Sequence, residues 1–292
     1  MLELLLRYNP EIKPKALNPT TINQAVARLD TGNRAFAELV VSDVGPDETA
    51  EHAIQFFGAD FVRPQLEQDL QQAIADAPAQ APFAVVFGCS DARVPTEILF
   101  AQGFNDIFVV RVAGNVLGAE CLGSIDYAIQ TLDGVRVVVV LGHTGCGAIT
   151  AAVDNFLAPL GYLAVAANPP LRSIVDGLMT AVRGAVHALE IAHGPEIRTN
   201  PHARAALIEL AVVLNSAFTA AAIKRIYKDH ISEKLDVFFG VYNLTNHRVG
   251  LPGPEQIWQD GLTAAADDEE AVNALCQEWA RSPYITRILA QR

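Results

Sequence analysis

A chain of 292 residues suits one large domain or two small ones, and with 51% apolar and 18% charged residues it carries enough core-forming side chains to exclude global disorder. Acidic residues outnumber basic ones 33 to 21, for a net charge of −12. That excess argues against a nucleic-acid or anionic-membrane partner and favours a soluble, self-repelling protein.

In chain order, Met1 to Arg7 places an acid inside a short apolar run with no basic leader, so it does not read as a signal peptide, and no lipidation signal is seen. Ile22 to Leu29 and Gln65 to Ile74 carry amphipathic helical patterns, joined by polar turns such as Ser42 to Asp47. Then the period changes. Phe83 to Phe87, Ile107 to Val110, Val135 to Leu141 and Val237 to Tyr242 are short apolar runs, the pattern of parallel strands buried on both faces. Helical spacing over Glu120 to Thr131 and Arg204 to Ile226 alternates with them. The apolar stretch Ala205 to Ile223 contains Glu209, Asn215 and Ser216, which marks a buried helix rather than a membrane span. Residues 150–203, alanine-rich and interrupted by Pro169-Pro170 and Gly194-Pro195, read as two helices with a loop; Ala271 to Ala280 reads as another helix.

The expected fold is α/β: a mostly parallel central sheet of four to five strands flanked by helices, with an N-terminal helical arm. The chain is expected to form a single domain over 1–292. Within it, 1–80 is the helical arm, 81–245 the α/β core with an insertion near 150–203, and 246–292 a helical tail.

Four cysteines, Cys89, Cys121, Cys146 and Cys276, do not suggest a disulfide framework in a chain of this length. A reducing compartment fits, with the cytoplasm the default. Open parallel sheets bind ligands at the C-terminal ends of their strands, and two polar clusters stand at such ends. Gly88-Cys89-Ser90-Asp91-Ala92-Arg93-Val94-Pro95 follows Phe83 to Phe87, and Gly142-His143-Thr144-Gly145-Cys146-Gly147 follows Val135 to Leu141. A Cys₂His set is one of the few used for catalytic zinc with a position left for water. Soft thiolates with imidazole favour zinc over magnesium or calcium. Any one cysteine alone is more often inert core, and Cys121 and Cys276, without polar company, are expected to be that.

On an extended segment Asp91 and Arg93 point to the same side as Cys89. Paired with Arg93, Asp91 stays ionised and oriented. Beside a zinc-bound water it could accept the water's proton in a hydrogen bond and aim the hydroxide, or bind zinc directly if the pairing broke. The bland alternative is a partly exposed ion pair worth about 0–1 kcal/mol.

Cys89 to Pro95, Arg111-Val112-Ala113-Gly114-Asn115 and His143 to Ala148 together resemble the β-class carbonic anhydrases, as does the earlier Gly32-Asn33-Arg34-Ala35-Phe36. The resemblance is strong over 83–152 and weaker, but in order, at 29–36 and 236–243. It implies zinc (Zn2+) held by Cys89, His143 and Cys146, with Asp91 and Arg93 as a catalytic dyad. Asp91 becomes a fourth ligand only in the closed, inactive form that some members adopt. It further implies reversible hydration of carbon dioxide to bicarbonate, and a homodimer or a higher multiple of one, whose N-terminal helices wrap the partner. A non-catalytic bicarbonate site in some members uses a Trp three residues before the first Cys. Val86 stands there, which argues against that site, although Arg111 matches one of its arginines. The rivals are a zinc-stabilised scaffold without activity and a hydrolase of a carbon dioxide analogue such as carbon disulfide. A nicotinamide enzyme is disfavoured because no Gly-x-Gly-x-x-Gly follows a strand. His52, His187, His193, His202, His230 and His247 are proton-shuttle candidates by chemistry alone.

Overall fold

The computed structural model describes residues 18–41 and 80–291. Met1 to Arg7, the turn Ser42 to Asp47, His52 and the pattern over Gln65 to Ile74 lie outside the described residues. Four strands, β1 (Ala84–Gly88), β2 (Ile107–Arg111), β3 (Val137–His143) and β4 (Asp236–Tyr242), form a parallel sheet in the order β2-β1-β3-β4. Every residue of β1 and β3 is buried, as expected of strands covered on both faces.

Side chains alternate across that sheet with period two. Val85, Phe87, Val138, Val140, Val237 and Phe239 face one apolar cluster, and Val86, Val137, Val139 and Leu141 face a second. The first is covered by α3 (Ala119–Thr131), α4 (Gly147–Leu157), α6 (Pro169–His193), α7 (Ala203–Ile226), α8 (Glu269–Ala280) and α9 (Pro283–Leu289). The second lies under α1 (Ile22–Val41) and the single turn α2 (Thr96–Leu99).

Helix α1 is tied down by the Gly32-Asn33 pair. A Cβ on Gly32 would stand 1.8 Å from the Phe100 carbonyl oxygen, so only glycine permits this approach. The Asn33 amide donates to the Leu99 and His247 carbonyls, each at 3.1 Å, and its oxygen accepts from Val249 N–H at 2.7 Å.

Among the described residues the sheet has seven strands, the expected parallel four and three more than the sequence announced. Three short antiparallel ones, β5 (Val249–Leu251), β6 (Gln259–Asp260) and β7 (Thr263–Ala264), lie in the segment expected to be helical. Strands of two or three residues carry no readable period. Within 150–203 the proline pair breaks the alanine-rich segment, as expected, and does so by starting a new helix. Pro169 and Pro170 occupy the first positions of α6, where a missing N–H costs nothing, and the Asn168 side chain caps Leu171 N–H at 3.3 Å. A short α5 (Tyr162–Ala166) precedes it. Helix α7 is the one described helix long and apolar enough to cross a membrane, and most of it is buried inside the protein.

Candidate metal centre

The register sets Gly88 of β1 beside Leu141 of β3, so the loops leaving both strands emerge at one edge of the sheet. Cys89 directly follows β1, His143 closes β3, and Cys146 caps α4. All three are buried, and their ligand atoms lie within 4.8 Å of one another.

The surroundings aim these atoms. His143 Nδ1 lies 3.0 Å from the Thr144 carbonyl oxygen and donates to it, which leaves Nε2 with a lone pair. That Nε2 is buried without a hydrogen-bond partner. A buried orphan nitrogen beside two thiols is costly by itself and fits a tetrahedral, thiolate-preferring cation such as zinc. Gly114 N–H donates to Cys89 Sγ at 3.2 Å. Gly114 has φ +65°, and a Cβ there would stand 3.0 Å from Ala148 Cβ and 3.1 Å from Leu178 Cδ1.

The site draws positive charge. The Cys89 thiol is pulled down to about 4, chiefly by the Cys146 thiol that hydrogen-bonds it and against the cost of burial. Cys146, which keeps the shared proton, is pushed up by that same Cys89 contact and by burial. Burial opposes a charged His143, but the neighbouring Cys89 sulfur outweighs it and raises its pKa.

Asp91 and Arg93 meet, but not by strand alternation, because residues 91–94 form a turn rather than an extended segment. Val94 N–H donates to the Asp91 carbonyl at 3.0 Å, and Arg93 N–H folds back onto Asp91 Oδ1 at 2.9 Å. The guanidinium then grips the carboxylate through Nε to Oδ1 at 2.9 Å and Nη2 to Oδ2 at 2.7 Å. The hydrogen-bonding Arg93 side chain holds the Asp91 carboxyl well below the usual carboxylate range. Oδ2 stands 3.7 Å from His143 Nε2, close to the cluster but outside it. Arg111 clamps the same turn, donating to the Cys89 carbonyl at 2.8 Å and the Asp91 carbonyl at 2.6 Å.

Of the histidines considered as shuttles, none among the described residues joins the cluster. His187 and His230 are exposed, His193 contacts the Ala280 carbonyl at 2.8 Å, and His247 the Tyr242 hydroxyl at 2.7 Å. Cys276 is buried and pushed up to about 11 by desolvation, as an inert core thiol should be. Cys121 is only partly buried. Sequence reasoning missed Glu209, whose carboxylate accepts from Gly145 N–H between two cluster residues. Its signal was present as a lone acid in an apolar helix, read only as evidence against a membrane span.

A family model described as carbonic anhydrase matches residues 84–249. The chain belongs to the β-class carbonic anhydrase family. Carbonic anhydrase 2 of Mycobacterium tuberculosis is 47% identical over 105 residues, covering 35% of this chain and 50% of that one. The carbonic anhydrase of Mycolicibacterium smegmatis is 48% identical over 99 residues, covering 33% and 48% respectively. The chain thus spans about half the length of the curated relatives it matches. Among solved structures, the β-carbonic anhydrase CcaA shares 21% identity over 63% of this chain and 84% of its own, with a TM-score of 0.45. The carbonic anhydrase match contains Cys89, Asp91, Arg93, His143 and Cys146, whereas Trp258 and Tyr284 lie beyond it.

Proposed function

We propose that this chain is a zinc-dependent carbonic anhydrase that converts carbon dioxide reversibly to bicarbonate and a proton. The convergence of Cys89, His143 and Cys146, with Asp91 kept outside the ligand set by Arg93, carries this reading. Cys89, His143 and Cys146 would hold zinc, which when bound would lower the pKa of water from about 15.7 toward 7 and so make hydroxide available near neutrality. The two thiolates offset the charge of the dication and temper that shift. Asp91, ionised and therefore acceptor-only, takes a hydrogen bond at Oδ2 from the reacting oxygen and turns its remaining lone pair toward carbon dioxide. Arg93 fixes the carboxylate plane, so the acceptor direction is set before substrate arrives.

Cytoplasmic residence and assembly as a dimer belong to the same proposal. Four free cysteines support a reducing compartment. Among the described residues β2 lies at the edge of the sheet beside the exposed ring of Tyr127, which supports a protein partner on that side. The test is stopped-flow hydration of carbon dioxide by purified protein, with metal content measured on the same sample and pH varied. Rates should scale with zinc content. Stoichiometric zinc without hydration at any pH overturns the reading and leaves a metal-stabilised scaffold.

A further inference from the structure

Between His143 and Cys146 the chain makes a two-residue turn, and each residue of it is fixed by a different element. Thr144 is tied to the end of β4: its N–H donates to the Tyr242 carbonyl at 3.0 Å, and its hydroxyl accepts from Leu244 N–H at 3.0 Å. Gly145 adopts φ +63°, and among the described residues nothing lies within 4 Å of where a Cβ would stand. Its N–H donates instead to Glu209 Oε1 at 2.9 Å. The other carboxylate oxygen of Glu209 accepts from the Tyr284 hydroxyl at 3.1 Å. The Tyr284 ring in turn meets Trp258 edge-on, with centroids 5.6 Å apart.

We propose that Glu209 is a positioning residue for the metal centre, acting through Gly145 and held in place by Tyr284. This rests on the reading of Cys89, His143 and Cys146 as zinc ligands. A carboxylate in the middle of an apolar helix costs free energy unless its acceptor capacity is used, and here both oxygens are used. The left-handed turn at Gly145 sets the distance between the His143 and Cys146 side chains, so fixing its peptide fixes the bite of that ligand pair. Groups that orient ligands from behind typically change metal affinity about 10–100-fold when removed. The brace also gives the C-terminal segment a task, because Tyr284 lies in the first turn of α9 and Trp258 precedes β6.

The test is zinc affinity by competition with a chromophoric chelator, together with the visible spectrum of the cobalt-substituted full chain. Glu209→Ala should weaken zinc binding about 10–100-fold and change the cobalt band shape, which reports ligand geometry. Glu209→Gln keeps an oxygen acceptor for Gly145 N–H and should return affinity to within about threefold of wild type, well short of that loss. Tyr284→Phe should fall between them. Arg204→Ala, a surface change on the same helix, should match wild type. If Glu209→Ala does not fold, Glu209→Met restores side-chain volume without an acceptor and is read in its place. A folded acceptor-less variant that binds zinc as wild type does, or a Gln variant as weak as the acceptor-less one, overturns the proposal. Wild-type protein that takes up neither zinc nor cobalt overturns the ligand reading and the brace together, so the wild-type titration separates the two failures.

Discussion

Arg93 holds both carboxylate oxygens of Asp91, while Asp91 Oδ2 stands 3.7 Å from the unpartnered Nε2 of His143. The carboxylate is therefore pinned at the rim of the cluster without joining it. Replacing it by an amide keeps the shape but turns one acceptor into a donor. Asp91→Asn is expected to retain zinc while stopped-flow hydration falls about 10²–10⁴-fold, the range for losing a positioned proton-handling group. Full activity in that variant, with zinc bound, would contradict the role given to Asp91.

The pairing also makes a statement about pH. Asp91 has a depressed pKa in the folded chain, so its pairing adds stability above the unfolded value of about 3.9, which is lost as pH falls through the lower folded value. Without the guanidinium the carboxyl moves back toward that ordinary range and is still ionised at neutral pH. Arg93→Ala should thus lower hydration by loss of orientation, by a similar factor at every pH from 6 to 9. An acid limb that moves into this window in the variant would mean that Arg93 acts through charge instead.

Much of this is legible in the sequence. The β-branched runs that became β1 to β4 announce themselves because strands buried on both faces need continuous apolar sequence. Parallel neighbours then force Cys89 and His143 together. What was not legible is local. The Asp91–Arg93 contact was expected from strand alternation, yet it comes from a turn in which Asp91 caps the Arg93 peptide. Strands β5 to β7 are too short for any period; β5 and β7 pair with β4, β6 pairs with β5, and β5 is also held by Asn33 of α1, 216 residues from Val249. Glu209 could not be assigned to the site because its partner, Gly145, is 64 residues away.

Cys146 offers the simplest test of the ligand set. It is buried, at the start of α4, and its sulfur is within reach of both Cys89 and His143. Serine there supplies a harder, protonated oxygen that binds zinc poorly. Cys146→Ser should leave metal content far below one ion per chain when measured on dialysed protein. Because zinc binds only the folded site, chelating it from wild type should also lower Tm, by about 2.7 kcal/mol of lost stabilisation if free zinc had stood at 100 times its Kd. Stoichiometric zinc in the serine variant would remove Cys146 from the ligand set.

Asn33 tests whether the helical arm is a structural part of the core. Its amide satisfies two carbonyls and one N–H drawn from two separate segments, Leu99 on one side and His247 with Val249 on the other. Asn33→Ala leaves those buried groups unpaired and should cost about 1–3 kcal/mol in urea unfolding. Zinc content should stay at wild-type level, because none of these bonds touches the cluster. A parallel loss of metal would show that α1 supports the site as well as the fold.

Gly114 joins backbone strain to the metal centre. Its N–H donates to Cys89 Sγ at 3.2 Å from a residue that sits at φ +65° with Ala148 and Leu178 packed close behind. The Asn215 side chain fixes the other side of the same residue, donating to the Gly114 carbonyl at 2.9 Å. An added methyl meets two penalties at once: a left-handed conformation that costs an L-residue roughly 1–2 kcal/mol, and contacts at 3.0 and 3.1 Å that neighbours must yield to. Gly114→Ala should therefore lower stability by about 1–3 kcal/mol. Since N–H donors to a thiolate stabilise its charged form, moving this donor off Cys89 should also raise the pH needed for half-maximal zinc uptake. A variant that is destabilised yet loads zinc with an unchanged pH midpoint would show that Gly114 serves packing alone.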